Sequence, residues 1–273
     1  GFCCDEGVIR NLGRPGARLA PNEIRKKLAS LAFPVASNEI GLADAGNVIC
    51  TGRKLESSGK LLSRKIIDLL AADYFPLLLG GGHETAWPHF RALHSFYSEQ
   101  KIGIINFDAH FDVRDYAQGM HSGSPFRQAV EWAKSRNTDV HYLPIGIRRE
   151  ANLSSLFNFM NENGQKYILL EELWNNLENV KESIVEFMDQ VDKLYLTIDM
   201  DGFSSAYAPG VSATSPTGFS PSTIFSCLQL IKSSGKLASC DIVEVNPEYD
   251  VQGQTALLAA QLIWQLLFSP STK

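Results

Sequence analysis

Residues 102–107 (IGIINF) form an apolar run of strand length that stops abruptly at charged residues. Asp108, His110 and Asp112 follow at alternate positions. In an extended segment, alternate side chains point to the same side, so these three groups can converge on one point. Carboxylate and imidazole groups together suit a divalent metal such as Mn, Fe or Zn. The segment therefore predicts a buried strand that leads into a metal site, with an exposed polar turn as the alternative.

Two further apolar runs end in a similar way. Residues 194–198 (LYLTI) are followed by Asp199 and Asp201, and residues 76–82 (PLLLGGG) are followed by His83. Open parallel sheets bind ligands at the carboxyl ends of their strands, so we expect the three ends to lie together. They offer four Asp and two His. That number of carboxylates exceeds the needs of one catalytic metal and fits two metals that share bridging carboxylates.

Apolar runs of strand length alternate with helical patterns along the whole chain. This alternation predicts a three-layer α/β/α fold, with a mostly parallel sheet and helices on both faces. We expect a single domain over residues 1–273. The stretch 202–220 is long for a connector and is expected to wrap the active site. His89 and His94, five residues apart on a helix predicted over 84–97, are expected to be ordinary helix residues.

Composition narrows the range of partners. The chain has 273 residues, of which 44% are hydrophobic and 20% charged, as in an ordinary globular protein. Its net charge of -5 and the absence of any cationic run argue against nucleic acid or a membrane surface as a partner. No apolar stretch reaches the roughly 18 residues of a membrane-spanning helix. The N-terminus has neither a basic segment nor an apolar signal core, so we expect a cytoplasmic location. Of the five cysteines, Cys3 and Cys4 are adjacent and the others are scattered; without CxxC spacing they fit a reducing compartment.

Four short motifs lie in order along nearly the whole chain. They are residues 81–84 (GGHE), 108–112 (DAHFD), 199–201 (DMD) and 244–247 (EVNP). Together they resemble the signatures of the ureohydrolase superfamily, which includes arginase and agmatinase. Within that superfamily the chain is most similar to formimidoylglutamases. Four details carry this likeness: the opening loop CDEGVIRN, the run HSGSPFRQ, the Gly that precedes His83 where arginase-like relatives usually have Asp, and Ser204-Ser205 in place of a further Asp-Pro.

The resemblance implies two Mn²⁺ ions per subunit. The first ion would have His83, Asp108, Asp112 and Asp199 as ligands, and the second would have Asp108, His110, Asp199 and Asp201. Asp108 and Asp199 would then bridge the ions. An oxygen-rich ligand set with one His per metal and no Cys also favours Mn²⁺ over Zn²⁺. In such a centre a hydroxide that bridges the two metals attacks the amidine carbon of the substrate.

Four further residues receive roles outside the metal ligands. By resemblance, Glu244 pairs with the cationic amidine and His121 passes a proton to the departing amine. Arg114 and Arg127 lie on the loops nearest the site, where guanidinium groups can take substrate carboxylates in bidentate pairs. The alternatives are a helix-capping or surface role for Glu244, a solvated loop position for His121, and a surface salt bridge for each arginine.

The function predicted from these residues is hydrolysis of N-formimidoyl-L-glutamate to L-glutamate and formamide, a step of histidine breakdown. The partner is thus a small amidine that carries carboxylates. An agmatinase or another guanidino-acid ureohydrolase, which would release urea, is the alternative within the same enzyme class. A metal-binding relative without turnover is the alternative from a different class. The resemblance also implies that the subunits associate into a homo-oligomer. In the family the opening loop follows a first strand, so we expect part of that strand to lie before the start of the sequence.

Overall fold

The computed structural model describes residues 1–33 and 41–269. The strands are β1 (Phe2–Cys3), β2 (Val48–Ile49), β3 (Leu77–Leu79), β4 (Ile102–Phe107), β5 (His141–Ile147), β6 (Ile168–Leu169), β7 (Lys193–Asp199) and β8 (Leu237–Val243). The helices are α1 (Glu6–Arg10), α2 (Ala20–Leu28), α3 (Leu55–Ala71), α4 (Ala86–Phe96), α5 (Pro125–Lys134), α6 (Ser154–Glu162), α7 (Leu170–Asn175), α8 (Leu177–Asp189), α9 (Pro221–Ser233) and α10 (Gln254–Phe268). Short 3₁₀ turns cover Ala17–Leu19, His83–Thr85, Arg149–Ala151 and Met200–Gly202.

Six of the strands form one parallel sheet, in the order β3-β8-β7-β4-β5-β6. Strands β1 and β2 pair separately, also in parallel. The central strand β4 is buried over its whole length. Near-continuous apolar strands are typical of parallel sheets that are covered on both faces. The predicted fold class, a mostly parallel sheet with helices, is confirmed.

The sheet has an apolar core on each face. Alternate side chains of β4 belong to different cores, since Ile105 and Phe107 pack into one cluster while Ile102 and Ile104 pack into the other. The first cluster includes Ile24 of α2, Ile184 of α8, Ile224 of α9 and Ile263 of α10. The second includes Ile66 of α3, Phe90 of α4, Val130 of α5 and Met160 of α6. This partition gives the three layers.

Strand register determines which strand ends meet. Phe107 of β4 pairs with Ile198 of β7, so the residues that follow them, Asp108 and Asp199, lie side by side at the carboxyl edge of the sheet. Asp199 in turn pairs with Val243 of β8. The residue after β8 is therefore next to the acidic pair, and β3 brings its own carboxyl end to the same edge because it pairs with β8.

Some element boundaries differ from those that the sequence predicts. Hydrophobic spacing predicts a helix over 59–72, whereas α3 begins at Leu55, a fully buried residue preceded by Lys54, whose side chain does not cap the helix. The last strand, predicted to reach residue 245, ends at Val243 because Glu244 adopts a left-handed φ of 64°. Across residues 1–33 and 41–269, no helix is both long enough and apolar enough to cross a membrane.

Candidate metal centre

Three carboxylates surround the His83 ring. Its Nδ1 lies 3.2 Å from Asp108 Oδ2, 3.0 Å from Asp112 Oδ2 and 3.0 Å from Asp199 Oδ2. All four side chains are buried, yet Nδ1 makes no hydrogen bond of acceptable geometry with the described residues. One ring nitrogen carries at most one proton and cannot serve three carboxylates. A cation between these four atoms would satisfy them all, so the group fits a metal ion.

A second group adjoins the first and shares Asp108 with it. His110 Nδ1 lies 3.4 Å from Asp108 Oδ1 and 3.3 Å from Asp201 Oδ2. Asp108 thus turns one oxygen towards each group, which is the arrangement of a bridging carboxylate. The other oxygen of Asp201, Oδ1, is buried and has no hydrogen-bond partner in the described parts of the chain. These residues can hold a second ion.

The two acidic strand ends are built in the same way. The backbone N–H of His110 donates to Asp108 Oδ1 at 2.7 Å, and that of Asp201 donates to Asp199 Oδ1 at 2.8 Å. Each carboxylate is therefore fixed by the amide two residues further on. Thr197 of β7 orients the His83 ring through a 3.1 Å contact between its Oγ1 and His83 Nε2. Such outer contacts set which ring nitrogen faces a metal.

Burial and charge crowding perturb the pKa values of His83, Asp112 and Asp199. Burial alone would lower the pKa of His83, but the adjacent Asp108, Asp112 and Asp199 raise it well above its ordinary value. Burial, followed by the charges of Asp201 and Asp108, raises the pKa of Asp199 well above its usual range. Burial and the charge of Asp108 also raise the pKa of Asp112. Divalent cations would relieve this repulsion, which is the electrostatic signature of a metal site.

Glu244 lies beside the cluster in a constrained position. Its backbone N–H donates to Gly81 O at 2.8 Å, and its Oε1 accepts the His83 amide at 2.7 Å. Burial, with the charges of Glu84 and Asp201, raises the pKa of Glu244 well above its ordinary value. Its φ of 64° and that of Asp112, 48°, are conformations that residues other than Gly seldom adopt. Strained backbone of this kind is concentrated at functional sites.

His121 lies on the loop that leads into α5. Its Nδ1 accepts the Gly123 amide at 3.2 Å, and its Nε2 is 2.9 Å from Asp115 O and donates to that carbonyl. The start of α5 contacts the carboxylate-imidazole cluster directly, because the Phe126 amide donates to Asp112 O at 3.2 Å and the Phe126 ring packs edge-on against His83. The loop that carries His121 therefore borders the cluster.

The two predicted carboxylate-binding arginines have different surroundings. Arg114 is exposed, and its Nη1 donates to Asn11 Oδ1 at 3.1 Å. Arg127 pairs through Nε with Glu131 at 2.8 Å, and its guanidinium stacks on the Phe159 ring. The ion-pair alternative thus describes Arg127 in this structure. A role towards substrate stays a prediction for both residues.

A buried polar network that the sequence did not predict involves a histidine of α4, six residues after His83. His89 of α4 is fully buried, with Nδ1 2.6 Å from Asp241 Oδ2 and Nε2 2.7 Å from Ser239 Oγ. Tyr195 OH donates to the same Asp241 oxygen at 2.5 Å. His89 is therefore part of an internal network and not an ordinary helix residue. Ser239 and Asp241, at alternate positions in an otherwise apolar strand, are the signal that could have predicted an internal partner.

Comparison with known proteins decides the family. A model of the arginase family matches residues 1–269. The chain belongs to the arginase family. It is 39% identical to the formimidoylglutamase of Chromobacterium violaceum over 97% of this chain and 85% of that protein. It is 43% identical to a Geobacillus formimidoylglutamase over 98% of this chain and 81% of that protein.

A solved structure shares the fold. The crystal structure of Trypanosoma cruzi formiminoglutamase with Mn²⁺ superposes with a TM-score of 0.86 at 25% identity, covering 97% of this chain and 90% of that one. The family assignment made from the four motifs, including the likeness to formimidoylglutamases, is thereby confirmed. The prediction of a hydrolase is confirmed by the same relatives.

Proposed function

We propose that this protein hydrolyses N-formimidoyl-L-glutamate to L-glutamate and formamide. The observation that carries the proposal is the pair of carboxylate-imidazole groups sharing Asp108 at one sheet edge, in a chain similar to formimidoylglutamases over nearly its whole length. The ligands would be His83, Asp108, Asp112 and Asp199 for one Mn²⁺ ion, and Asp108, His110, Asp199 and Asp201 for the other. When bound, the two ions would neutralise the carboxylates and supply an activated water as nucleophile.

Glu244 is the proposed partner of the substrate amidine. Its Oε1 is engaged by the His83 amide, and its Oε2 makes no hydrogen bond with the described residues. Oε2 is thus available to accept an N–H of a cationic amidine held beside the metal cluster. This interaction would strengthen as the amidine carbon becomes tetrahedral and its nitrogens gain basicity, so it would favour the transition state over the substrate.

His121 is the proposed proton donor to the departing amine. Hydrolysis breaks the bond between the formimidoyl carbon and the glutamate nitrogen, and that nitrogen must gain a proton as it leaves. His121 holds a proton on Nε2, which the Asp115 carbonyl accepts at 2.9 Å. For transfer, the Gly123 contact would open and Nδ1 would take up a proton from water, so that the imidazolium gives its Nε2 proton to the leaving nitrogen in place of the Asp115 carbonyl and returns to the neutral form.

The test is product analysis with the Mn²⁺-loaded protein. Formimidoylglutamate, agmatine and arginine are incubated separately, with formamide and glutamate followed by NMR and urea by a colorimetric assay. We expect products from formimidoylglutamate alone. Urea from either guanidine would replace the proposal by a guanidino-acid ureohydrolase, and no product from any of the three would favour a metal-binding relative without turnover.

A variant pair tests the assignment of Glu244. Glu244→Gln keeps the shape of the side chain and removes its charge, so we expect turnover to fall at least about 100-fold with Mn²⁺ content unchanged. Glu248→Gln, at an exposed position four residues further on, is the matched control and should keep wild-type turnover. Metal content is measured by elemental analysis. Equal activity in the two variants would remove Glu244 from the mechanism.

A further inference from the structure

Arg148 is a buried arginine to which the described parts of the chain offer no acceptor. It is the first residue after β5, and only 7% of its surface is exposed. Its Nε is enclosed and makes no hydrogen bond with residues 1–33 or 41–269. No carboxylate of those residues lies within 4.0 Å of its guanidinium nitrogens. Because an enclosed cation without a counter-charge is costly, this geometry calls for an anionic partner.

The backbone of Arg148 is fixed to the loop that carries the metal ligands. Its N–H donates at 3.1 Å to the carbonyl of Ala109, which lies between Asp108 and His110. The Asn152 side chain holds both segments, since its Nδ2 donates to Ala109 O and to Arg148 O, each at 2.9 Å. Arg148 therefore lies at the carboxyl edge of the sheet, where parallel α/β folds bind their ligands.

Other arginines near this edge already have acceptors. Arg10 pairs with Glu6 and Glu56, Arg14 donates to the carbonyls of Val211 and Ser212, and Arg127 pairs with Glu131. An anion that enters the site would have to displace those contacts, whereas Arg148 needs only to gain one. A planar guanidinium also matches a carboxylate with two parallel hydrogen bonds.

We propose that Arg148 binds one of the two carboxylates of the substrate and so determines specificity. The inference rests on the proposed function, because formimidoylglutamate supplies the carboxylates. It assigns to Arg148 a role that the sequence suggested for Arg114 and Arg127. The amidine end of the substrate would lie at Glu244 and the metal cluster, and a carboxylate end would lie over β5.

The experiment compares Arg148→Met with Arg149→Met in Mn²⁺-loaded protein. Arg149 is the matched control because it is adjacent and its side chain is 65% exposed, with its carboxylate neighbour 4.0 Å away. We expect Arg148→Met to raise KM for formimidoylglutamate about 10- to 100-fold, the effect of losing a charge-assisted hydrogen-bonded pair, with a smaller change in kcat. Arg149→Met should stay within about twofold of wild type.

Substrates that lack one carboxylate separate recognition from a structural role. N-formimidoyl-4-aminobutyrate lacks the α-carboxylate, and N-formimidoyl-2-aminobutyrate lacks the γ-carboxylate. If Arg148 binds one of these groups, Arg148→Met should lose the wild-type preference for formimidoylglutamate over the analogue without that group, and keep its preference over the other. An equal loss on all three substrates, or no loss on any, would overturn the inference.

Further variants and controls separate failure of the inference from failure of folding or of the proposed function. Arg148→Lys retains the charge without the planar fork and should show an intermediate KM. Arg148→Gln, which is polar but uncharged, replaces the Met variant in the analogue test if that variant does not fold. Circular dichroism and metal content establish that each variant is folded and loaded. If wild-type protein does not hydrolyse formimidoylglutamate, the proposed function fails. If it does, and Arg148→Met or its replacement Arg148→Gln discriminates among the three substrates like wild type, only the inference fails.

Discussion

Replacing His89 is expected to test the buried network that joins α4 to the sheet. Ser239 Oγ donates its only proton to Pro76 O at 2.6 Å, so it can only accept from His89 Nε2. The Asp241 carboxylate accepts from Nδ1. Both ring nitrogens are therefore engaged by buried polar partners. Asp241 Oδ1 has no hydrogen-bond partner in the described ranges, so this carboxylate depends on His89 and Tyr195 alone.

The magnitude follows from what His89→Ala leaves behind. The Asp241 carboxylate would stay fully buried with Tyr195 as its one remaining donor. Removing one partner of a buried ion pair costs about 3–5 kcal/mol, and the space left by the imidazole adds to that cost. For a protein of this size the loss corresponds to a Tm lower by about 6–20 °C. His94→Ala, on the same helix but half-buried and in edge contact with Trp132, should cost less than about 1 kcal/mol.

Urea unfolding of the metal-free protein, followed by circular dichroism and by Trp fluorescence, measures both variants. Adding Asp241→Asn to His89→Ala should recover part of the lost stability, because the orphaned charge is removed. A double-mutant cycle with the single Asp241→Asn variant isolates this coupling. Similar small losses for His89→Ala and His94→Ala, or strictly additive effects of the two network substitutions, would refute the buried ion pair.

Three more outcomes follow from the structure. Mn²⁺ binding should weaken as pH falls and should release at least one proton. The reason is that the neighbouring carboxylates raise the pKa of His83, so the metal must displace a proton from this ring. Calorimetry in buffers of different ionisation enthalpy measures the number of protons released. Gly81→Ala, whose Cβ would overlap the Cys4 carbonyl, should cost about 1–3 kcal/mol in urea unfolding, whereas Gly59→Ala within α3 should gain about 0.5–1 kcal/mol. Burial raises the pKa of the Cys227 thiol to about 12, so a thiol reagent at pH 8 should modify it only after unfolding.

The parts of the site that the sequence predicted are those encoded locally. Asp108 and Asp199 each follow directly on an apolar strand, and parallel strands in register place their ends side by side. The sheet itself therefore brings these two residues together, although they are far apart along the chain. His83 fits the same pattern, because it comes directly after the glycines that follow β3.

Of the parts that the sequence did not predict, one depends on a contact between distant segments and two are local. The partner of Asp241 is His89, 152 residues earlier on a helix that packs across the sheet, and helix periodicity alone says nothing of that contact. The ion pair of Arg127 with Glu131 is local, at i and i+4, and could have been predicted from the helix that contains them. Arg148 follows the apolar end of β5 just as Asp108 follows β4. The strand-end pattern that indicates the acidic residues therefore also indicates this arginine, when it is applied to cationic residues.

The order of the strands suggests why charges of opposite sign take different positions along one edge. The acidic ends belong to the adjacent central strands β4 and β7, with Glu244 after β8 on one side and Arg148 after β5 on the other. Neighbouring strands lie about 4.8 Å apart, so the three steps from β8 to β5 span about 14 Å. A short substrate with a cationic amidine at one end and carboxylates at the other, together with the extended Arg148 side chain, would span the distance from Glu244 to β5. In the opposite orientation its carboxylates would face Glu244 and its amidine would face Arg148. Like charges would then meet at both ends, which would favour the productive orientation.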